Sequence, residues 1–128
     1  MAGVSKGAVG ELLSARFLRE KGYEVLTSNF RCRLGEVDII AQKAPYIVFV
    51  EVKTRREDAL FAPREAVTAA KRSRLIKTAG VYLSRFPTGL QPRFDVVEVV
   101  TDPADDTRVL EINHIMGAYE AGDLHEAF

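Results

Sequence analysis

Only one cysteine, Cys32, occurs in the 128 residues, so neither an internal disulfide nor a cysteine-caged zinc ion can frame the fold. A reducing cytoplasm is the setting this implies. The longest unbroken apolar run, Ala44 to Val50, is far too short to cross a bilayer. The opening Met1-Ala-Gly-Val-Ser-Lys-Gly carries no signal-peptide stretch, so no membrane partner is expected. Internal repeats, low-complexity tracts and linkers are also missing. The expectation is therefore one domain over residues 1–128, with loose ends at 1–4 and from about 119. With 47% apolar and 28% charged residues the composition is that of an ordinary compact domain. At this length roughly two thirds of the unfolded chain's surface can be buried without staples.

Net charge is absent as well, 18 basic against 18 acidic side chains, yet the charges are segregated along the chain. Residues 1–52 hold 7 basic and 6 acidic groups, residues 53–93 hold 10 and 3, and residues 94–128 hold 1 and 9. The middle block, with Lys53, Arg55, Arg56, Arg64, Lys71, Arg72, Arg74 and Lys77, can face phosphates even on a neutral protein. The same charges also suit solvated helix and loop faces balanced in space by the acidic last third.

Apolar periodicity predicts a first helix from about Ser5 to Lys21, with Val9, Leu12, Leu13 and Phe17 on its core face and Gly22 as its stop. Tyr23 to Leu26 reads as a short strand followed by a Thr27-Ser28-Asn29 turn. Glu36 to Ala41 and Ile47 to Lys53 read as a hairpin, and Thr54 to Pro63 as a charged loop. Thr68 is the expected N-cap of a second helix, whose stripe of Leu75, Ile76, Ala79, Tyr82, Leu83 and Phe86 runs to about Arg85. Arg93 to Val100 and Val109 to Asn113 read as two more strands joined by an acidic turn, Asp102 to Asp106. From Gly117 onward little is left to pack against. The order is helix, three strands, helix, two strands: an α/β domain with a central mixed sheet.

The informative stretch is Gly35-Glu36-Val37-Asp38-Ile39-Ile40-Ala41 with Ile47-Val48-Phe49-Val50-Glu51-Val52-Lys53. Alternation along a strand puts Glu36 and Asp38 on one face, Glu51 and Lys53 on one face, and Val37, Ile39, Val48, Val50 and Val52 on the other. A Lys43 to Tyr46 turn pairs Gln42 with Ile47, which sets Asp38 opposite Glu51 and Glu36 opposite Lys53. Two carboxylates ~5 Å apart repel by about 3 kcal/mol at an effective dielectric near 20, and a divalent cation would relieve that. An all-oxygen donor set of Asp38, Glu51 and the Val52 carbonyl suits Mg²⁺ or Mn²⁺ rather than zinc. Such a site points to metal-assisted phosphodiester hydrolysis, with Lys53 steadying the attacking water or the developing charge. On spacing alone, a surface hairpin with a Glu36–Lys53 ion pair fits too. Glu11, at the edge of the first helix's stripe, either reaches the carboxylate face or is solvated. Asp95 reads as a satisfied structural carboxylate, and His114 and His125 as exposed groups without a function.

The strings Gly10-Glu11, Gly35 to Ile40, Val48 to Arg55 and Arg93 to Val97, with the Lys71-Arg72 to Ala79 helix and Tyr82-Leu83, resemble the YraN family of uncharacterised bacterial proteins regarded as endonucleases. The resemblance spans about Gly7 to Ala118. It implies a restriction-endonuclease-like fold with an acid followed by a Glu-x-Lys pair on a central hairpin, here Asp38, Glu51 and Lys53. The arrangement is similar to archaeal Holliday-junction resolvases, in which an acid of the first helix joins the metal site, and Glu11 matches that role.

The resulting expectation is a Mg²⁺- or Mn²⁺-dependent nuclease acting on DNA, with branched or damaged structures among its substrates and RNA left open. Candidate catalytic residues are Asp38, Glu51, Lys53, Glu11 and Glu36; candidate metal ligands are Asp38, Glu51, Val52 and Glu11. Arg55, Arg56, Lys71, Arg72 and Arg74 are the candidate nucleic-acid contacts. No stacking platform or recognition helix stands out, so shape should guide binding more than base sequence. Resolvase-type chemistry on two strands would favour a homodimer. The rival readings are a non-catalytic nucleic-acid-binding module of the same fold and a protein-interaction domain.

Overall fold

The computed structural model describes residues 6–59 and 68–120. Along the chain run α1 (Lys6–Glu20), β1 (Glu24–Cys32), β2 (Gly35–Lys43), β3 (Tyr46–Arg56), α2 (Ala69–Arg85), β4 (Gln91–Asp102) and β5 (Asp105–Tyr119). This is the element order expected from the sequence. The strands form one five-stranded sheet in the order β1-β2-β3-β4-β5. All neighbours are antiparallel except β3 and β4, which are parallel and joined through α2. Among the described residues no helix is long and apolar enough to cross a membrane.

The helices cover opposite faces of the sheet. On one face, Leu75, Ile76, Ala79 and Tyr82 of α2 pack on Ile40, Ile47, Phe49, Phe94 and Val96. On the other, Ala15 and Leu18 of α1 pack on Ile39, Ala41, Val48, Val50 and Val97. Alternation along β3 therefore sends both sets of side chains into a core, which is why Tyr46–Arg56 reads as a nearly continuous apolar run before its charged end. Thr68 caps α2 as expected: its Oγ1 accepts from the Lys71 N–H at 3.3 Å.

Several sequence expectations need correction. Val9 and Leu12 do not face the core; they are 40% and 66% exposed. The buried face of α1 is instead Gly10, Ser14, Ala15 and Leu18. At Gly10 only a glycine fits because α1 lies close on β3: a Cβ there would stand 2.6 Å from Thr54 Oγ1. Gly10→Val is accordingly expected to cost about 1–3 kcal/mol in denaturant unfolding, partly recovered by adding Thr54→Ala. The Thr27-Ser28-Asn29 turn lies inside β1, where its irregular residues become a bulge between Val25 and Thr27 and a left-handed Asn29 (φ 55°). Opposite Asn29, alternation along β2 breaks: Val37 packs in the α2 cluster while Ile39 packs in the α1 cluster. Thr54 to Arg56 continue β3 rather than opening a loop. The rest of that loop from residue 60, like Ser5, Arg64, His125 and the proposed loose end at 1–4, lies outside the described residues.

The end of β5 is also better packed than its sequence suggests. Tyr119 is buried and stacks on Phe94 with ring centroids 5.3 Å apart. His114 is not exposed either: its side chain is 2% exposed. Its Nε2 lies 2.6 Å from Asp95 Oδ2, and Lys21 Nζ lies 2.7 Å from its Nδ1. With Lys21 donating, Nδ1 accepts and Nε2 carries the proton that bonds Asp95. Asp95 is fully buried and also accepts from Arg93 Nε (2.9 Å), Arg93 Nη2 (2.8 Å) and the Gly117 N–H (2.9 Å). Burial opposes its charge, but these donors outweigh it and hold the carboxyl below the ordinary range. This carboxylate ties β4 to the end of β5 and, through His114 and Lys21, to the end of α1.

Candidate active site

The site is built where β2 parts from β3. The β2–β3 ladder runs in the expected register from Lys43↔Tyr46, across a turn of Ala44 and Pro45, to Ile39↔Val50 and stops there. β3 continues alongside β4 as far as Arg56↔Thr101. At the fork the next backbone donor of β3 has lost its strand partner, and a side chain replaces it. The Val52 N–H donates to Asp38 Oδ2 at 2.8 Å. Asp38 and Glu51 are only 8% and 7% exposed, on a cleft of about 250 Å³ shared with Glu36, Lys71, Arg74 and Leu75.

The electrostatics of the two acids diverge. Burial, reinforced by the neighbouring Glu51 charge and more weakly by Glu11, pushes the Asp38 carboxyl up to about 8, against the pull of the Val52 N–H. Glu51 goes the other way. Burial opposes its ionisation, but the Lys71 and Lys53 ammonium groups overcome that and hold it below the usual carboxylate range. Both nitrogens converge on one atom, Glu51 Oε1, at 2.8 Å from Lys71 and 3.0 Å from Lys53. The cleft thus combines an acid pushed up to about 8, a carboxylate beside it and two ammonium groups on that carboxylate.

The sign of the pH effect follows from Asp38. Unfolded, it ionises near 4; folded without metal, it keeps its proton to about 8. Between those values the native state holds one more proton, so the metal-free protein loses stability as pH rises. Thermal melts in EDTA from pH 5 to 8 should show this decline, with a flatter profile for Asp38→Asn.

The donor set suits a hard divalent cation. Asp38 and Glu51 offer oxygen only, and a dication between them would offset the burial and the Glu51 charge that together raise the Asp38 carboxyl. Among the described residues no three acidic, histidine or cysteine side chains stand close enough to cage an ion by themselves. Asp38 and Glu51, with the Val52 carbonyl on the same strand, would hold it together with waters and substrate oxygens, the habit of Mg²⁺.

The other sequence candidates are dispersed. Glu11 sits half-buried on α1, near enough for its charge to act on Asp38. Glu36 does not lie opposite Lys53; it is exposed at the cleft and pairs with Arg31 at 2.7 Å, because the β2–β3 ladder ends before reaching it. Arg55 is bound to the buried Glu98 and to the Arg56 carbonyl. Arg56 pairs with Asp58 on the surface, Arg72 lies over the Tyr119 ring at 5.6 Å, and Arg74 is exposed beside the cleft.

Lys71, expected from the sequence only as a nucleic-acid contact, enters the carboxylate site itself. Its signal was periodic: positions 71, 75, 79 and 82 share one helical face, and the other three, Leu75, Ala79 and Tyr82, are buried. A larger cavity, about 800 Å³, lies at the start of β3 and β4 beside Tyr46, Arg93 and Tyr119. It holds no carboxylate pair, and its guanidinium is committed to Asp95.

Comparison with known proteins covers most of these elements. The family model described as "Uncharacterised protein family UPF0102" matches residues 10–99, from the tight α1 contact into β4. The UPF0102 protein TTE1452 of Caldanaerobacter subterraneus subsp. tengcongensis is 44% identical over 115 residues, 88% of this chain and 93% of its own. The UPF0102 protein STH1475 of Symbiobacterium thermophilum is 47% identical over 116 residues, 90% of this chain and 96% of its own. A UPF0102 protein of Caldicellulosiruptor saccharolyticus is 46% identical over 114 residues, covering 88% and 95%. The chain belongs to the UPF0102 family, the YraN family that its Asp38, Glu51 and Lys53 strings resemble.

Proposed function

We propose that this protein is a Mg²⁺- or Mn²⁺-dependent endonuclease that hydrolyses phosphodiester bonds in DNA. The observation that carries the reading is the buried Asp38–Glu51 pair at the sheet fork, with Lys53 on the same Glu51 oxygen. Both ammonium groups of the cleft bond Glu51 rather than Asp38, so Asp38 stands buried beside a second carboxyl group and is pushed up, the kind of shift that clusters at functional sites. A divalent cation bound there would polarise the phosphoryl oxygen and acidify a water.

The chain's own residues supply the rest. The Val52 N–H holds the Asp38 carboxyl in a fixed orientation, and burial under α2 keeps bulk water from screening the charges. Lys53, drawn to Glu51, orients the attacking water or balances charge as the water oxygen bonds phosphorus and one ester P–O bond breaks. Arg56 and Arg74, both exposed, lie on the basic segment that would meet flanking phosphates.

Supercoiled plasmid and four-way junctions incubated with Mg²⁺, Mn²⁺ or EDTA test the reading. Wild type should nick or cut with metal and not with EDTA; Asp38→Asn and Lys53→Ala should stay folded and inactive. A salt-sensitive gel shift without cleavage under any metal, equal in wild type and variants, would instead establish a non-catalytic binding module.

A further inference from the structure

Glu51 accepts from one more ammonium than a Glu-x-Lys pair needs. Lys53 reaches Oε1 from two residues along β3, but Lys71 comes from α2, across the layer, and approaches closer. Its position is set by the fold. Thr68 caps its first turn, and the burial of Leu75, Ile76, Ala79 and Tyr82 fixes how α2 is rotated over the sheet. The side chain is 33% exposed, so the ammonium stands at the rim with one side toward Glu51 and one toward open cleft. Resting on the nuclease reading, charge counting then singles it out. With Asp38 and Glu51 ionised about a divalent cation their charges cancel, and Lys53 and Lys71 leave the cleft at +2. That matches a phosphodiester which, under attack by hydroxide, gathers a second negative charge.

We propose that Lys71 is a phosphate-contacting residue of this site, neutralising Glu51 in the free protein and turning to the scissile phosphate when a divalent cation takes Glu51. Lys71 and the cation compete for the same carboxylate. The ammonium is a point charge on a flexible stem, suited to that exchange. It makes or breaks no covalent bond; it balances charge as phosphorus changes oxygen partners.

Two measurements on the full chain test this. Isothermal titration of MnCl₂ alone, without nucleic acid, should show Lys71→Met binding Mn²⁺ about tenfold tighter than wild type, since one competing unit charge is gone; Asp38→Asn should lose the site. Single-turnover cleavage by Lys71→Met at saturating DNA should be about 10²–10³-fold slower, with affinity for DNA in Ca²⁺ falling by much less than the rate, and partial rescue in Lys71→Arg. Unchanged or weaker Mn²⁺ binding overturns the inference. So does an intact rate with weaker DNA binding and a salt slope lowered by about one, the behaviour of a groove lysine. A wild type that binds Mn²⁺ but cleaves nothing overturns the nuclease reading together with this one; a cleaving wild type with an equally fast Lys71→Met overturns this one alone.

Discussion

Glu51→Gln is expected to lower metal-dependent cleavage by about a thousandfold while leaving the fold intact. Glu51 is the hub of the cleft: it borders Asp38 and receives both Lys53 and Lys71 on Oε1. Removing its charge weakens cation binding and unseats both lysines together. Losing about 4 kcal/mol of charge stabilisation at the transition state corresponds to roughly 10³ in rate. Stability should change far less. The substitution leaves two partly exposed ammonium groups without their carboxylate, but it also relieves Asp38 of the neighbouring charge that raises it. Single-turnover kinetics with unfolding curves on the same preparations separate the two quantities. Glu36→Gln is the matched control, because that carboxylate is spent on Arg31 at the surface; its rate should stay within a few fold of wild type. A Glu36 variant as impaired as Glu51→Gln would move the centre of the site.

Asp95→Asn should do the reverse, removing stability while sparing chemistry. Asp95 faces Arg93, His114 and the Gly117 N–H from full burial, so neutralising it strands a guanidinium that is 16% exposed. Breaking a buried pair from one side costs about 3–5 kcal/mol. For a domain of this size that lowers Tm by roughly 10–20 °C. Its pH dependence has a definite sign. Because the folded carboxyl is held below the ordinary aspartate range, its contribution is whole above that range and is lost as pH falls through the folded value. Asp95 pairs in register with Val50, next to Glu51, but Val50 packs on the α1 side of the sheet. Well below the lowered Tm, cleavage by the variant should therefore stay within a few fold of wild type. A melting point within 2–3 °C of wild type, corresponding to less than about 1 kcal/mol, would show that β5 is anchored by its ladder to β4 rather than by this carboxylate.

Local chemistry made much of this legible from residues alone. Thr68 followed by an apolar stripe is a helix start whatever surrounds it, and α2 begins there. Period-two alternation and a short polar break gave the β2–β3 hairpin and the Gln42↔Ile47 register, which brings Asp38 to Glu51. What could not be read depended on how closely layers approach. Apolar spacing puts the core face of α1 at Val9, Leu12, Leu13 and Phe17, but the helix lies so near Thr54 that the side with Gly10 turns to the sheet. Strand alternation gave Glu36 the same face as Asp38, but the fork after Ile39↔Val50 gave it a different partner.

The sequence by itself determined the order of elements, the acid and Glu-x-Lys pattern and the helix cap, because each depends on residues within a few positions of one another. Tertiary structure alone decided that Lys71 meets Glu51 from another layer, that His114 is buried on Asp95, and that Asp38 spends an oxygen on the Val52 N–H. Those contacts join segments brought together only when two helices close on a sheet, and the Asp38 carboxyl is pushed up chiefly because that closure removes water, with the Glu51 charge adding to it.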